Sequence, residues 1–151
     1  EDEPLGTAGV LGLLPDKLTD FPVIMMNGDL LTNINFEHLL NFHKDQGVIA
    51  TVCVKEYDFQ VPYGVVEAKD NIINDIIEKP THKFFVNAGI YALDEKFIKD
   101  IAENRYIDMP DLIKSKINHK ERINLFPIHE HWLDIGSMDQ YKKARRDYLH
   151  E

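Results

Sequence analysis

Phe21-Pro22-Val23-Ile24-Met25-Met26-Asn27-Gly28-Asp29 is the stretch whose reading decides the fold. Phe21 to Met26 is a short continuous apolar run, as expected of a strand buried on both faces, and it ends by delivering a polar residue, Asp29. A strand of that kind belongs to a sheet covered by helices. Ligands of such sheets bind in the crevice beyond the carboxyl ends of the strands, which is where Asp29 is expected to sit.

Outward from this run the elements alternate. Asn35 reads as a helix N-cap, with Phe36, Leu39, Leu40 and His43 on one face and Gly47 as the stop. Val48 to Lys55 reads as the next strand. Tyr63 to Glu67 and Ile72 to Glu78 flank the turn-rich Ala68-Lys69-Asp70-Asn71 and predict a hairpin, and Phe84 to Leu93 follows as another strand. Asp108-Met109-Pro110-Asp111 opens a helix with proline near its first position, and Ile123 to Pro127 returns to a strand. Ser137 with Gln140 forms a capping box that predicts a last helix to about Leu149. The sum is an α/β chain with a mixed, mostly parallel sheet and flanking helices, expected as a single domain over residues 1–151.

The bulk numbers exclude several classes. A chain of 151 residues with 44% hydrophobic and 28% charged content is long enough for one real core and has an ordinary globular composition. Seventeen Lys and Arg against 26 Asp and Glu leave a net charge of −9, which opposes nucleic acid and anionic membrane as partners. The longest apolar runs fall far short of the ~20 residues a membrane helix needs, and no cleavable signal opens the chain, so a cytoplasmic protein is expected. The one cysteine, Cys53, lies in an apolar strand and reads as a small core residue.

Six short motifs occur in order: Pro4-Leu5-Gly6-Thr7-Ala8-Gly9, Asn27-Gly28-Asp29, Tyr63-Gly64-Val65-Val66, Glu78-Lys79-Pro80, Asn87-Ala88-Gly89-Ile90-Tyr91 and Trp132-Leu133-Asp134-Ile135-Gly136. Together they resemble the sugar-1-phosphate nucleotidyltransferases, which join a nucleoside triphosphate to a sugar 1-phosphate and release pyrophosphate. The resemblance runs from Pro4 to about Tyr141 and implies a Rossmann-like nucleotidyltransferase fold. That family opens with a strand and a Gly-rich loop that cradles the triphosphate, and neither occurs in this sequence. The chain is therefore expected to be the C-terminal part of a catalytic domain, nearly inactive by itself, and to self-associate through the face the missing segment would cover.

The resemblance also assigns roles. Asp29 and Asp134 would share one Mg²⁺, a hard ion that needs only one or two carboxylates beside phosphate oxygens and water. Lys79 would offer a point charge to the incoming sugar phosphate, and Glu78 would accept hydrogen bonds from sugar hydroxyls. Gly64 and Gly89 would let the backbone approach the sugar, with Asn87 donating and accepting. Leu5, Gly6, Thr7 and Gly28 would lie along the nucleotide, and the Leu5 to Gly9 form favours a purine, hence guanylyl over thymidylyl or cytidylyl transfer.

Plainer readings stand beside these. An isolated Gly-Asp after a strand is commonly a turn, a Glu-Lys pair at a strand end is commonly solvated, and a lone strand glycine commonly marks a bulge. The Leu5 to Gly9 segment, first in the chain, is expected to risk disorder. Trp132 reads as packing beside the Asp134 strand rather than covering a ring. His129 and His131, at i,i+2 with no third ligand near, do not read as a metal site. Lys142, Lys143, Arg145 and Arg146 read as a solvated helix face. Two rival functions remain: a non-catalytic nucleotide-sugar-binding regulatory module, and a glycosyltransferase, whose Asp-x-Asp is here Asp29-Leu30-Leu31.

Overall fold

The computed structural model describes residues 3–15, 18, 20–138, 141, 142 and 145. Its central sheet has the order β1-β6-β3-β7, formed by Val23–Met26 (β1), Thr81–Leu93 (β6), Ala50–Gln60 (β3) and Ile123–Pro127 (β7). β6 runs antiparallel to both β1 and β3, and only β3 with β7 is parallel. The mixed sheet with flanking helices agrees with the sequence, but its described pairs are mostly antiparallel and not mostly parallel. An apolar run reports burial on two faces and carries no strand direction. β3 and β6 are the two legs of one long hairpin, so their connection makes them antiparallel.

The inner part of β6, from Ala88 to Leu93, is buried throughout. Alternation sends Tyr91 and Leu93 to one face and Ala88, Ile90 and Ala92 to the other. The first face is covered by Gly6–Gly9 (α1), a 3₁₀ turn over Val10–Leu13, Glu95–Ile98 (α3) and Met109–Asn118 (α4), which bring Ala8, Leu11, Phe97, Met109 and Leu112. The second is covered by Phe36–Gln46 (α2) and by a separate two-stranded pair, Leu30–Thr32 (β2) with Trp132–Asp134 (β8). Leu30, Leu39 and Trp132 pack there around Cys53 and Ala88.

The local signals were accurate for α2 and α4. The Asn35 side chain accepts the His38 N–H at 3.0 Å, and Gly47 closes α2 at φ +56°. Asp108 stands at the N-cap position of α4 with Pro110 in the first turn, but its side chain makes no capping bond, and the Thr7 hydroxyl accepts the Met109 N–H instead. The predicted hairpin is Val65–Lys69 (β4) with Ile72–Ile77 (β5), turning on Asp70 and Asn71, both at positive φ as a two-residue reversal requires. Val61 N–H donates to the Pro80 carbonyl and Lys79 N–H to that of Tyr63, so β3-β4 and β5-β6 form one continuous arm. From Glu56 outward the arm leaves the helices and is exposed. The capping box and helix expected from Ser137 to Leu149 fall largely outside the described residues, as do Lys143 and Arg146 of the basic patch. Within them, Tyr141 N–H donates to the Ser137 carbonyl at 2.9 Å.

Candidate active site

β1 ends at Met26, and Asn27 N–H at once donates to the Gly89 carbonyl at 2.9 Å, tying the Asn-Gly-Asp turn to β6. The chain then enters β2, where Leu30 stands opposite Asp134 of β8. Ile135 N–H donates to the Asp29 carbonyl at 2.8 Å, which closes the pairing beyond the strand ends. Two aspartates 105 positions apart in sequence are thereby adjacent. A Cβ placed on Gly136 would lie 2.8 Å from Asp29 Oδ2 and 3.1 Å from Asp134 Oδ1, so both carboxylates face the same point. Gly136 N–H donates to Asp134 Oδ1 at 2.8 Å and fixes that side chain.

The Asn87-Ala88-Gly89 motif forms a bulge. In the β3–β6 register Val52 faces Tyr91 and Val54 faces Asn87, so Ala88, Gly89 and Ile90 oppose Cys53 alone. Gly89 has φ +69°, and a Cβ there would stand 2.7 Å from the Asn27 amide nitrogen. Asn87 Oδ1 accepts the Gly89 N–H at 3.0 Å while its amide donates to the Tyr91 hydroxyl at 2.8 Å. The Ala88 carbonyl, inside the buried bulge, accepts the Trp132 indole N–H at 2.9 Å, and the ring packs against the Leu30–Leu39–Cys53 cluster as read for that tryptophan. Lys55 adds a clamp, donating to the carbonyls of Ile128, His129 and Glu130 at 3.2, 3.4 and 2.9 Å and so fixing the loop that leads into β8.

The other assigned residues stand elsewhere. Gly64, Glu78 and Lys79 cluster at the bend of the arm: a Cβ on Gly64 would lie 3.0 Å from Glu78 Oε2, and Lys79, at φ +47°, sits 4.0 Å from Glu78 Oε1. From Thr81, two residues past Lys79, β6 runs roughly 20 Å to Asn87 at ~3.3 Å per residue. Leu5, Gly6 and Thr7 lie in and beside α1, on the face of the sheet opposite Leu30 and Trp132. Thr7 is engaged there: its N–H donates to Asp108 Oδ1 at 3.1 Å and its hydroxyl accepts the Met109 N–H at 2.8 Å. A Cβ on Gly6 would lie 2.7 Å from the Ile107 carbonyl oxygen. Gly28 faces open space, with no atom within 4 Å of its would-be Cβ. Asn27, Gly136 and Lys55 escaped assignment from the sequence, although the first two lie inside motifs already singled out.

A profile for the description "Nucleotidyl transferase" matches residues 1–151. The chain belongs to the nucleotidyl transferase family. Among its relatives in that family, the Oryza sativa subsp. japonica protein named "Probable mannose-1-phosphate guanylyltransferase 3" is 34% identical over 99% of this chain and 43% of its own length. The "Mannose-1-phosphate guanyltransferase" of Candida albicans is 31% identical over 99% of this chain and 43% of that protein. This nucleotidyl transferase chain thus spans less than half the length of these relatives. HddC from Yersinia pseudotuberculosis shares the fold with a TM-score of 0.69 at 22% identity, covering 98% of this chain and 64% of that one.

The donor set fits the divalent cation such an enzyme implies. Two carboxylate oxygens face one point above a residue that has no side chain to occupy it. A Mg²⁺ ion asks a protein for no more than one or two carboxylates. Among the described residues no group of three or more His, Cys, Asp and Glu side chains gathers, and no helix is long and apolar enough to cross a membrane.

Proposed function

We propose that this chain carries the metal-binding and sugar-binding parts of a sugar-1-phosphate nucleotidyltransferase, with a guanylyl donor and a hexose 1-phosphate of the mannose type as substrates. The observation that carries this is the convergence of Asp29 and Asp134 above Gly136. The substrate assignment is supported by relatives named for mannose-1-phosphate guanylyl transfer.

The reaction is an in-line displacement, in which a sugar-phosphate oxygen attacks the α-phosphorus and pyrophosphate leaves. Its difficulty is the approach of two anions while charge builds on the leaving group. Mg²⁺ held by Asp29 and Asp134 would neutralise part of that charge. Gly136 leaves space for the ion and orients Asp134 through its N–H. Asn87, exposed beside the buried bulge at Gly89, is the side chain that would meet sugar hydroxyls there, with the amide capacity left by its bonds to Gly89 and Tyr91. Lys79 supplies the cation for the incoming phosphate and Glu78 accepts from the sugar. Because that cluster stands off along β6, its role requires the arm to bend toward Asp29.

Pyrophosphate release tests the reading. The full-length product of the coding region is assayed with GTP and a panel of other nucleoside triphosphates, mannose 1-phosphate and other sugar 1-phosphates, and Mg²⁺, beside the 151-residue chain and an Asp29→Ala variant. Release confined to the long form, and reduced by ~10² or more in the variant, is expected, since one preorganised charge partner is worth that much. Turnover by the 151-residue chain at an ordinary enzymatic rate overturns the expected inactivity. Silence from every form across the panel overturns the transferase reading in favour of a binding module.

A further inference from the structure

Ile72-Ile73-Asn74-Asp75-Ile76-Ile77 reads almost the same in both directions, and all six residues of this strand, β5, are exposed. Among the described residues β5 pairs only with β4, so its other edge is open. Ile72, Ile73, Ile76 and Ile77 expose 68, 59, 59 and 42% of their surfaces, and Val66 of β4 is exposed beside Ile76. An edge that is apolar, free of proline and lysine, and unpaired is a template for another strand. A two-stranded hairpin is marginal in water and gains independent stability from a third strand or more.

We infer that β5 is the docking edge for the β5 of a second copy of this chain, paired antiparallel about a two-fold axis between Asn74 and Asp75. In that register Ile72 faces the other copy's Ile77, Ile73 faces Ile76, and Asn74 faces Asp75. Every isoleucine then meets an isoleucine on its own side of the sheet. The single charge of the strand meets a neutral amide, so no like charges stand opposed. A two-fold axis requires a self-complementary surface, and the near-palindrome supplies it. The bulge that leaves Asn74 unopposed on β4 lies at the axis, where both copies share its twist symmetrically. The product is a four-stranded sheet, β4-β5-β5-β4. This edge lies on the arm, away from the catalytic aspartates, so it stands independently of the transferase reading.

Sedimentation velocity on the 151-residue chain across micromolar to millimolar concentration reads the association. The expected result is a concentration-dependent dimer for the native sequence and monomers for I73K/I76K and for I73E/I76E, each with the native far-UV spectrum. A mixture of the two variants should recover the dimer, because the introduced opposite charges face each other across the axis. As a check that does not burden the strand, N74C should form a disulfide-linked dimer about tenfold or more faster than E103C, given the higher effective thiol concentration at the axis. A native chain that stays monomeric, a dimer that survives both charge variants, a mixture that fails to associate, or equal cross-linking of the two cysteines overturns the proposal. The first of these would leave β5 to another protein or to further sequence of the same polypeptide.

Discussion

Asp29 and Asp134 reach across the β2–β8 pair so that Oδ2 of one and Oδ1 of the other lie 2.8 and 3.1 Å from the position a Cβ on Gly136 would take. Gly136→Ala puts a methyl group there. The obstructing atoms are the ends of side chains and can swing aside, so the fold should lose under about 1 kcal/mol. The carboxylates, however, are pushed off their shared point, and divalent-cation affinity should fall ~10–100-fold, as when the supports of a ligand are removed. A Mn²⁺ titration followed by broadening of the Leu30 and Asp134 amide resonances reads this. Identical titrations for both proteins would remove the pair from the metal site.

Gly89 and Gly47 both sit at left-handed φ, +69° and +56°, but their surroundings differ. At Gly47 nothing lies within 4 Å of a would-be Cβ, whereas at Gly89 the Asn27 amide nitrogen is 2.7 Å away. Gly47→Ala should therefore show backbone strain alone, about 1–2 kcal/mol. Gly89→Ala should add the displacement of Asn27 and reach about 2–4 kcal/mol. Urea unfolding of the two variants measures the difference, and equal losses would mean that Asn27 yields freely.

Much of this site was legible in order but not in space. The caps Asn35 and Gly47 are local signals, and the structure realises both in α2. The apolar run to Met26 does form a strand, but β1 lies at the edge of the described sheet, half-buried with Met26 exposed instead of buried on both faces. The proximity of Asp29 and Asp134 is not local. It depends on β2, a three-residue strand too short to show a period, and on its pairing with the equally short β8. The bulge at Gly89 was foreshadowed only by the plain reading of a strand glycine, since nothing in Asn87-Ala88-Gly89 names Asn27 as the group that fills the space. Strand direction failed for a similar reason: the hairpin at Asp70 and Asn71 was legible, but nothing local shows that it continues through the Val61–Pro80 and Lys79–Tyr63 bonds into β3 and β6 and so makes them antiparallel.

Thr7 and Asp108 hold the start of α4 against α1. The Thr7 backbone N–H lowers the Asp108 carboxyl below the ordinary carboxylate value, helped by the Tyr106 and Thr7 hydroxyls and opposed by desolvation. A depressed folded value means that this contribution is complete above the unfolded carboxylate pKa, ~3.9, and is lost as the pH falls through the lower folded value. Asp108→Asn should therefore flatten the acid limb of the stability profile relative to the native chain. Urea midpoints measured from neutral pH down to the acid transition test it, and parallel curves would deny Asp108 the role. Thr7→Val removes the acceptor of the Met109 N–H and should lower stability by about 0.5–2 kcal/mol at neutral pH, as loss of a capping hydroxyl does.

Cys53 lies beneath the site, opposite the Ala88-Gly89-Ile90 bulge and fully buried. Burial, then the nearby charge of Glu130, pushes its thiol up to about 12. At neutral pH the thiolate, the reactive form, is scarce and also unreachable. Labelling by a disulfide reagent should therefore wait for opening of the sheet, running roughly 10³-fold or more slower in the native chain than in urea at the stability usual for a domain. The rate should also respond to the bulge: Gly89→Ala, which strains the backbone facing Cys53, should accelerate native-state labelling, whereas Thr7→Val, at the opposite face, should raise it only as far as it lowers global stability. Rapid labelling of the native protein would show that the β3–β6 pairing around Gly89 opens on its own, and that Asn27, Gly89 and Trp132 do not hold the aspartates in one fixed arrangement.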